Sequence, residues 1–173
     1  MHRAILFTLV IACGIVLGED KKPFKQEGKV LSVLKSYIAC VDEKNVEGML
    51  EHITIPLDLH FGSPQVTTIK SKGEFEEIFY SWNNSEKSNF HATRIKSVDI
   101  EQTGLVKNML AVADVTYERL SESCDVLRTE RALYHFVRGS GYYAKPLKFV
   151  WALTTRWARK WKIYMISDLD VAD

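Results

Sequence analysis

Met109-Leu110-Ala111-Val112-Ala113-Asp114-Val115-Thr116-Tyr117-Glu118-Arg119 is the stretch that decides the fold. Ala111, Ala113, Val115 and Tyr117 fall on one side of an extended chain, with Leu110 and Val112 on the other, which is the period of a long strand. More strands surround it. Ala92 to Glu101 alternates and is rich in β-branched residues, and Gln102-Thr103-Gly104 is a turn. Leu147, Phe149, Trp151, Leu153 and Trp157 alternate with Lys148, Thr154 and Arg156. A tight turn at Ala158 to Lys160 then leads to Trp161, Ile163 and Met165, giving the best hairpin pattern in the chain. Ser121 to Lys145 is ambiguous. Val126 to Val137 reads as a strand, or as a helix with Leu127, Leu133, Phe136 and Val137 as its apolar side, and Gly139-Ser140-Gly141 ends it either way. A strand or hairpin extension is the preferred reading.

Before these strands the period changes to that of a helix. Val30, Leu31, Leu34, Tyr37, Ile38 and Val41 form one apolar stripe that Asp42-Glu43-Lys44 ends. Asn45 can cap a second, short helix carrying Val46, Met49, Leu50 and Ile53, and Pro56 stops it. Leu57, Leu59 and Phe61 alternate with Asp58 and His60 as a short strand. Gly62-Ser63-Pro64 turns the chain, and Val66 to Ile69 returns as a second strand. Ser71-Lys72-Gly73-Glu74 is a capping box, followed by Phe75, Ile78, Phe79 and Trp82 at helical spacing. Helices first and an antiparallel sheet afterwards make an α+β domain, with three helices in the concave face of a curled sheet.

The chain has 173 residues, enough for one domain, and a formal net charge of +1, too small to steer it toward nucleic acid or acidic lipid. Its 4 Trp, 7 Tyr and 8 Phe suit a packed core or a lined pocket. Met1-His2-Arg3, the apolar run Ala4 to Leu17 and the small Gly18 before Glu19-Asp20-Lys21-Lys22 have the pattern of a secretory signal peptide cleaved after Gly18. The expected location is therefore secreted or periplasmic. The alternatives are an uncleaved anchor, or lipid attachment at Cys13, where Val10-Ile11-Ala12-Cys13 fits a lipobox. The run is short of the roughly 20 residues a bilayer span needs, and the apolar residues after Cys13 weigh against lipidation. Residues 19–27 read as a flexible leader. Cys40 and Cys124 are left in the mature chain, and the preferred reading is no bridge between them.

The order of elements resembles the nuclear transport factor 2-like superfamily, the cone-shaped, cystatin-like fold that includes ketosteroid isomerase and SnoaL-like polyketide cyclases. Tyr37-Ile38-Ala39 with Asn45-Val46-Glu47-Gly48-Met49-Leu50, Ser71 to Phe75 with Ile78-Phe79, Ala111 to Arg119, and Trp161-Lys162-Ile163 carry the likeness. It covers about Val30 to Asp168 within a domain at 28–170, with about 121–145 looking like an extension or insertion. It implies an apolar pocket in the cone and, often, a homodimer through the outer sheet face. It implies no reaction, because the fold hosts many functions.

Ketosteroid isomerase chemistry needs a carboxylate base, and a Tyr with a protonated Asp to hold the oxyanion. Tyr37 sits where the family's tyrosine belongs, but the base position falls on Phe61, and no late-strand Asp replaces the second carboxylate. The remaining acid–base candidates are Asp114, which alternates onto the Leu110 and Val112 face and could enter a mixed pocket, and His91. The bland alternatives are a packed Tyr37 and a surface Asp114 paired with a nearby cation. His52, His60, His91 and His135 have no ligand spacing, so no metal site and no cofactor is expected. Arg156 to Lys162 interleaves basic and aromatic residues, yet reads better as a charged hairpin turn than as a nucleic-acid site. Asn83-Asn84-Ser85 is a glycosylation sequon that matters only in a eukaryote. The leading expectation is an exported, non-catalytic module. It would bind a small apolar ligand among Tyr37, Phe61, Phe79, Trp82, Tyr117 and Trp151, or a protein through its sheet. The alternative is a SnoaL-like isomerase, cyclase or dehydratase using Tyr37 and Asp114, for which both must reach one cavity.

Overall fold

The computed structural model describes residues 24–61, 65–139 and 160–169. They form helices α1 (Glu27–Asp42), α2 (Val46–His52) and α3 (Lys72–Asn83). Six strands complete the fold: β1 (Ile53–Phe61), β2 (Thr67–Ile69), β3 (Ala92–Thr103), β4 (Leu110–Leu120), β5 (Val126–Arg138) and β6 (Trp161–Leu169).

Each helix follows from its stripe and its cap. Val30, Leu34, Tyr37 and Ile38 are the buried residues of α1, at the spacing that lines one helical face. At the start of α2 the Asn45 side chain accepts from the Gly48 amide at 2.9 Å. At α3 the Ser71 hydroxyl accepts from the Glu74 amide at 3.2 Å, and the Glu74 carboxylate reaches back to the Lys70 amide at 2.8 Å. Ser71→Ala is expected to destabilise the domain by about 1 kcal/mol. A lower urea midpoint at an unchanged slope would register that loss.

The sheet has the order β2-β1-β6-β5-β4-β3. Every pairing is antiparallel except that of β1 with β6, which is parallel. These two strands come from opposite ends of the domain, so no hairpin fixes their direction. Irregularities in register fall at Ile95/Ser97 in β3, at Arg119/Leu120 between β4 and β5, and at His135/Phe136 between β5 and β6. Bulges of this kind bend strands and deepen their twist, and the six-stranded sheet curls without closing. Its concave face is carried by Ala111, Ala113, Val115 and Tyr117 of β4, Ala132, Tyr134 and Phe136 of β5, and Trp161 and Ile163 of β6, all buried in one core with the helices.

The ambiguous stretch resolves at Val126–Arg138. It is the inner strand β5, hydrogen-bonded to β4 on one side and β6 on the other. The hairpin expected between residues 147 and 165 has its second arm in β6, which lies against β5. Its first arm, with Trp151, lies outside the described residues, as do the signal segment and residues 19–23. The end of the expected leader is not loose: Phe24 packs edge-on against Trp161 at 5.9 Å, and α1 begins at Glu27. Cys40, half-buried, and Cys124, exposed, are both free thiols. No helix among the described residues is long and apolar enough to cross a membrane.

Candidate functional site: a cavity in the cone

Between the three helices and the concave face lies a cavity of about 330 Å³. Sequence accounts for it. Ala132, at an inner position of β5, lines it as a small residue where a bulky side chain would fill the hollow. Helix residues wall it from above: Ile38 and Val41 of α1, Met49 of α2, and Ile78, Phe79 and Trp82 of α3. Leu59 and Ile166, paired across the parallel seam, close the side.

Tyr37, Phe61, Phe79, Trp82 and Tyr117 all line this cavity. Phe61 stands at its edge, 56% exposed at the end of β1. Tyr37 meets Tyr134 edge-on at 6.1 Å, and Phe79 meets Trp82 at 5.3 Å. Burial raises the hydroxyl pKa values of Tyr37 and Tyr117 far above the usual tyrosine range. Burial also pushes Tyr134 up to about 12, although the Arg119 charge and a hydrogen bond with Tyr117 pull it down. All three are therefore neutral phenols at any physiological pH.

The other two acid–base candidates are elsewhere. Of the two readings of Asp114, the structure has the surface residue paired with a cation. It does share the Leu110 and Val112 face, but that face is the outer one, and Arg131 holds its carboxylate with two hydrogen bonds of 2.9 and 2.6 Å. The bond from Arg131 lowers the Asp114 pKa, the opposite of what a base near neutrality requires. Tyr37 and Asp114 thus lie on opposite faces of the sheet and cannot meet on one substrate. His91 is exposed, immediately before β3, where its amide bonds to the Leu120 carbonyl, and it is not among the cavity-lining residues.

Sequence reasoning missed the polar end of the cavity. Arg119 continues the inner alternation Ala113, Val115, Tyr117, and its side chain is only 10% exposed. Its Nε donates to Glu130 at 3.0 Å and its Nη1 to the Thr93 hydroxyl at 2.6 Å. Asp42, at the end of α1, accepts from the Thr93 amide at 2.9 Å and stands 3.8 Å from the same guanidinium. Arg128 donates to the second oxygen of Glu130 and to the Lys87 carbonyl. Burial alone would raise the Glu130 pKa; the bond from Arg128 and the charge of Arg119 outweigh it and hold the carboxyl below its usual range. Arg119 also stacks on Phe90 at 4.2 Å and Tyr117 at 4.5 Å, with Lys44 on Phe90 at 3.9 Å. The available signal was a charge at an inner position of each of two successive strands. Its partners follow only from the β4–β5 register, which sets Tyr117 opposite Glu130 and Arg119 opposite Arg128, from the β3–β4 register, which sets Thr93 opposite Arg119, and from the packing of α1, which brings Asp42.

Among the described residues no group of three His, Cys, Asp or Glu side chains is placed to hold a metal ion.

No protein-family model matches the chain, and no curated protein sequence does. Solved structures do. An NTF2-like protein of unknown function from Pseudomonas putida superimposes with a TM-score of 0.57 at 9% identity, over 87% of this chain and 92% of that one. A protein of unknown function with a cystatin-like fold from Nostoc punctiforme gives 0.55 at 13% identity, over 82% and 88%. A ketosteroid isomerase-like protein from Erwinia carotovora atroseptica gives 0.53 at 12% identity, over 86% and 98%. At such identities the likeness speaks for architecture alone. With its three helices in the hollow of a curled six-stranded sheet, the chain has the nuclear transport factor 2-like, cystatin-like cone fold.

Proposed function

We propose that the protein is an exported, non-catalytic binding module that takes a small, predominantly apolar molecule into the cone. The observation that carries this reading is a cavity of about 330 Å³ walled by Ile38, Met49, Phe79 and Trp82. That volume is within the range of small-molecule sites, which are mostly apolar with a few placed polar groups. Export rests on the charge, apolar run and small-residue exit of residues 1–18. The enzyme alternative loses its base, since Asp114 faces away and is held ionised by Arg131.

The test is a titration with N-phenyl-1-naphthylamine, a neutral dye that fluoresces on entering an apolar site, beside solvent extraction of natively purified protein. One dye per chain is expected. Ala132→Leu, which adds three carbons to the cavity wall, is expected to weaken dye binding by about tenfold through overpacking of the site. Empty extracts together with no saturable dye signal would end the proposal.

A further inference from the structure

The polar lining of the cavity is segregated. Ile38, Val41, Met49, Leu59, Ile78 and Phe79 make one continuous apolar wall, while Tyr117, Arg119, Arg128 and Glu130 occupy two neighbouring rungs of β4 and β5. A ligand lying along the wall would bring one end against those rungs.

The rungs offer donors rather than acceptors. Each guanidinium carries five N–H groups and no acceptor. Both oxygens of Glu130 are already engaged, one by Arg119 and the other by Arg128. Both oxygens of Asp42 accept from Thr93. Charge points the same way. Glu130 is one carboxylate shared by two guanidiniums, so the rungs facing the cavity hold one positive charge in excess. Lys87 lines the same cavity, and Lys44 adds a further cation behind Phe90, opposite Asp42. Asp168 also lines the cavity, but its rung is Val115–Ala132–Asp168. That is four residues along β4 from Arg119, or about 13 Å at the rise of a strand, and the charge of Asp168 is felt at Tyr117 and Tyr134 between them.

We infer that the ligand is an apolar monocarboxylate, its body along Ile38, Met49 and Phe79 and its head against Arg119 and Arg128. This rests on the binding role proposed above and adds the chemistry of the head. With Nε and Nη1 of Arg119 on Glu130 and Thr93, and Nε and Nη2 of Arg128 on Glu130 and the Lys87 carbonyl, each guanidinium keeps its other terminal nitrogen for a ligand, and two such donors match the two oxygens of a carboxylate. The Arg119 guanidinium is pre-set by Glu130, Thr93 and the rings of Phe90 and Tyr117, so binding costs little ordering.

Decanoate, decan-1-ol and decylammonium share one tail and differ in the head. Each is titrated into the full chain by calorimetry and by displacement of N-phenyl-1-naphthylamine. Decanoate is expected to bind about tenfold or more tighter than decan-1-ol, the value of one charge-assisted hydrogen bond or more, and decylammonium weakest. Arg128→Gln is expected to bring decanoate to within about twofold of decan-1-ol. If the dye binds wild type but decan-1-ol equals decanoate, or decylammonium exceeds it, the carboxylate assignment fails while the binding role stands. If neither dye nor any of the three binds, both fail.

Discussion

Arg119→Leu is expected to cost about 3–5 kcal/mol of folding stability, because it strands buried carboxylate charge without its partner. The side chain it removes is 10% exposed and ties β4 to β5 through Glu130, to β3 through Thr93 and to α1 through Asp42. Leucine fills much of the volume but answers none of those contacts, and Glu130 keeps only Arg128. Urea unfolding at pH 7 reads the loss directly. The pH dependence provides a second, independent reading. The Glu130 pKa in the folded wild type lies below its usual range. Its contribution is therefore fully present above the unfolded glutamate value near 4.3 and is lost as pH falls through the folded value. Without Arg119 that lowering is reduced, so the gap between wild type and variant should be widest at pH 7 and narrow below about pH 4. Arg119→Leu combined with Glu130→Leu should be more stable than Arg119→Leu alone, since the pair is then removed rather than broken. A single variant within 1 kcal/mol of wild type would show that the network does not tie the three elements together.

The contrast between the apolar wall and this network explains what the sequence made legible. Tyr37, Phe79 and Trp82 could be placed because a helix or a strand repeats locally: once Val30 and Leu34 define a stripe, Tyr37 and Ile38 follow within the same helix. The faces of β4 were legible for the same reason, and Asp114 does stand with Leu110 and Val112. Which face is concave is not a local property. It depends on where the helices pack, so Asp114 could be set with Leu110 and Val112 while a pocket position and a surface position paired with a cation both stayed open. The contacts Arg119–Glu130, Arg119–Thr93 and Thr93–Asp42 span 11, 26 and 51 positions, and only strand register and the packing of α1 bring them together. A one-residue slip would turn Glu130 outward. With Ser121 to Lys145 readable as helix or strand, that register could not be set from the sequence. The parallel pairing of β1 with β6 was invisible for a related reason, as no turn links the two strands.

Phe136→Ala is expected to cost about 3–5 kcal/mol, and it tests the one segment whose reading the sequence left open. Phe136 is fully buried in β5, between Ala111 of β4 and Ile163 of β6. The two small or branched neighbours cannot reach across the space a missing ring would leave, so a cavity term adds to the lost transfer energy. A helix over the same residues would place Leu127, Leu133, Phe136 and Val137 on one apolar side, with comparable penalties along it. The strand separates them: Phe136 points into the core, whereas Leu127 is 49% exposed on β5. Leu127→Ala should therefore stay within about 0.5 kcal/mol of wild type, the usual range for a surface substitution. Denaturant melts of the two variants under one set of conditions make the comparison. An appended segment would let both substitutions pass with little effect, and a helix would penalise both. Only a large loss at Phe136 beside a small one at Leu127 fits an inner strand whose concave side helps to build the cone.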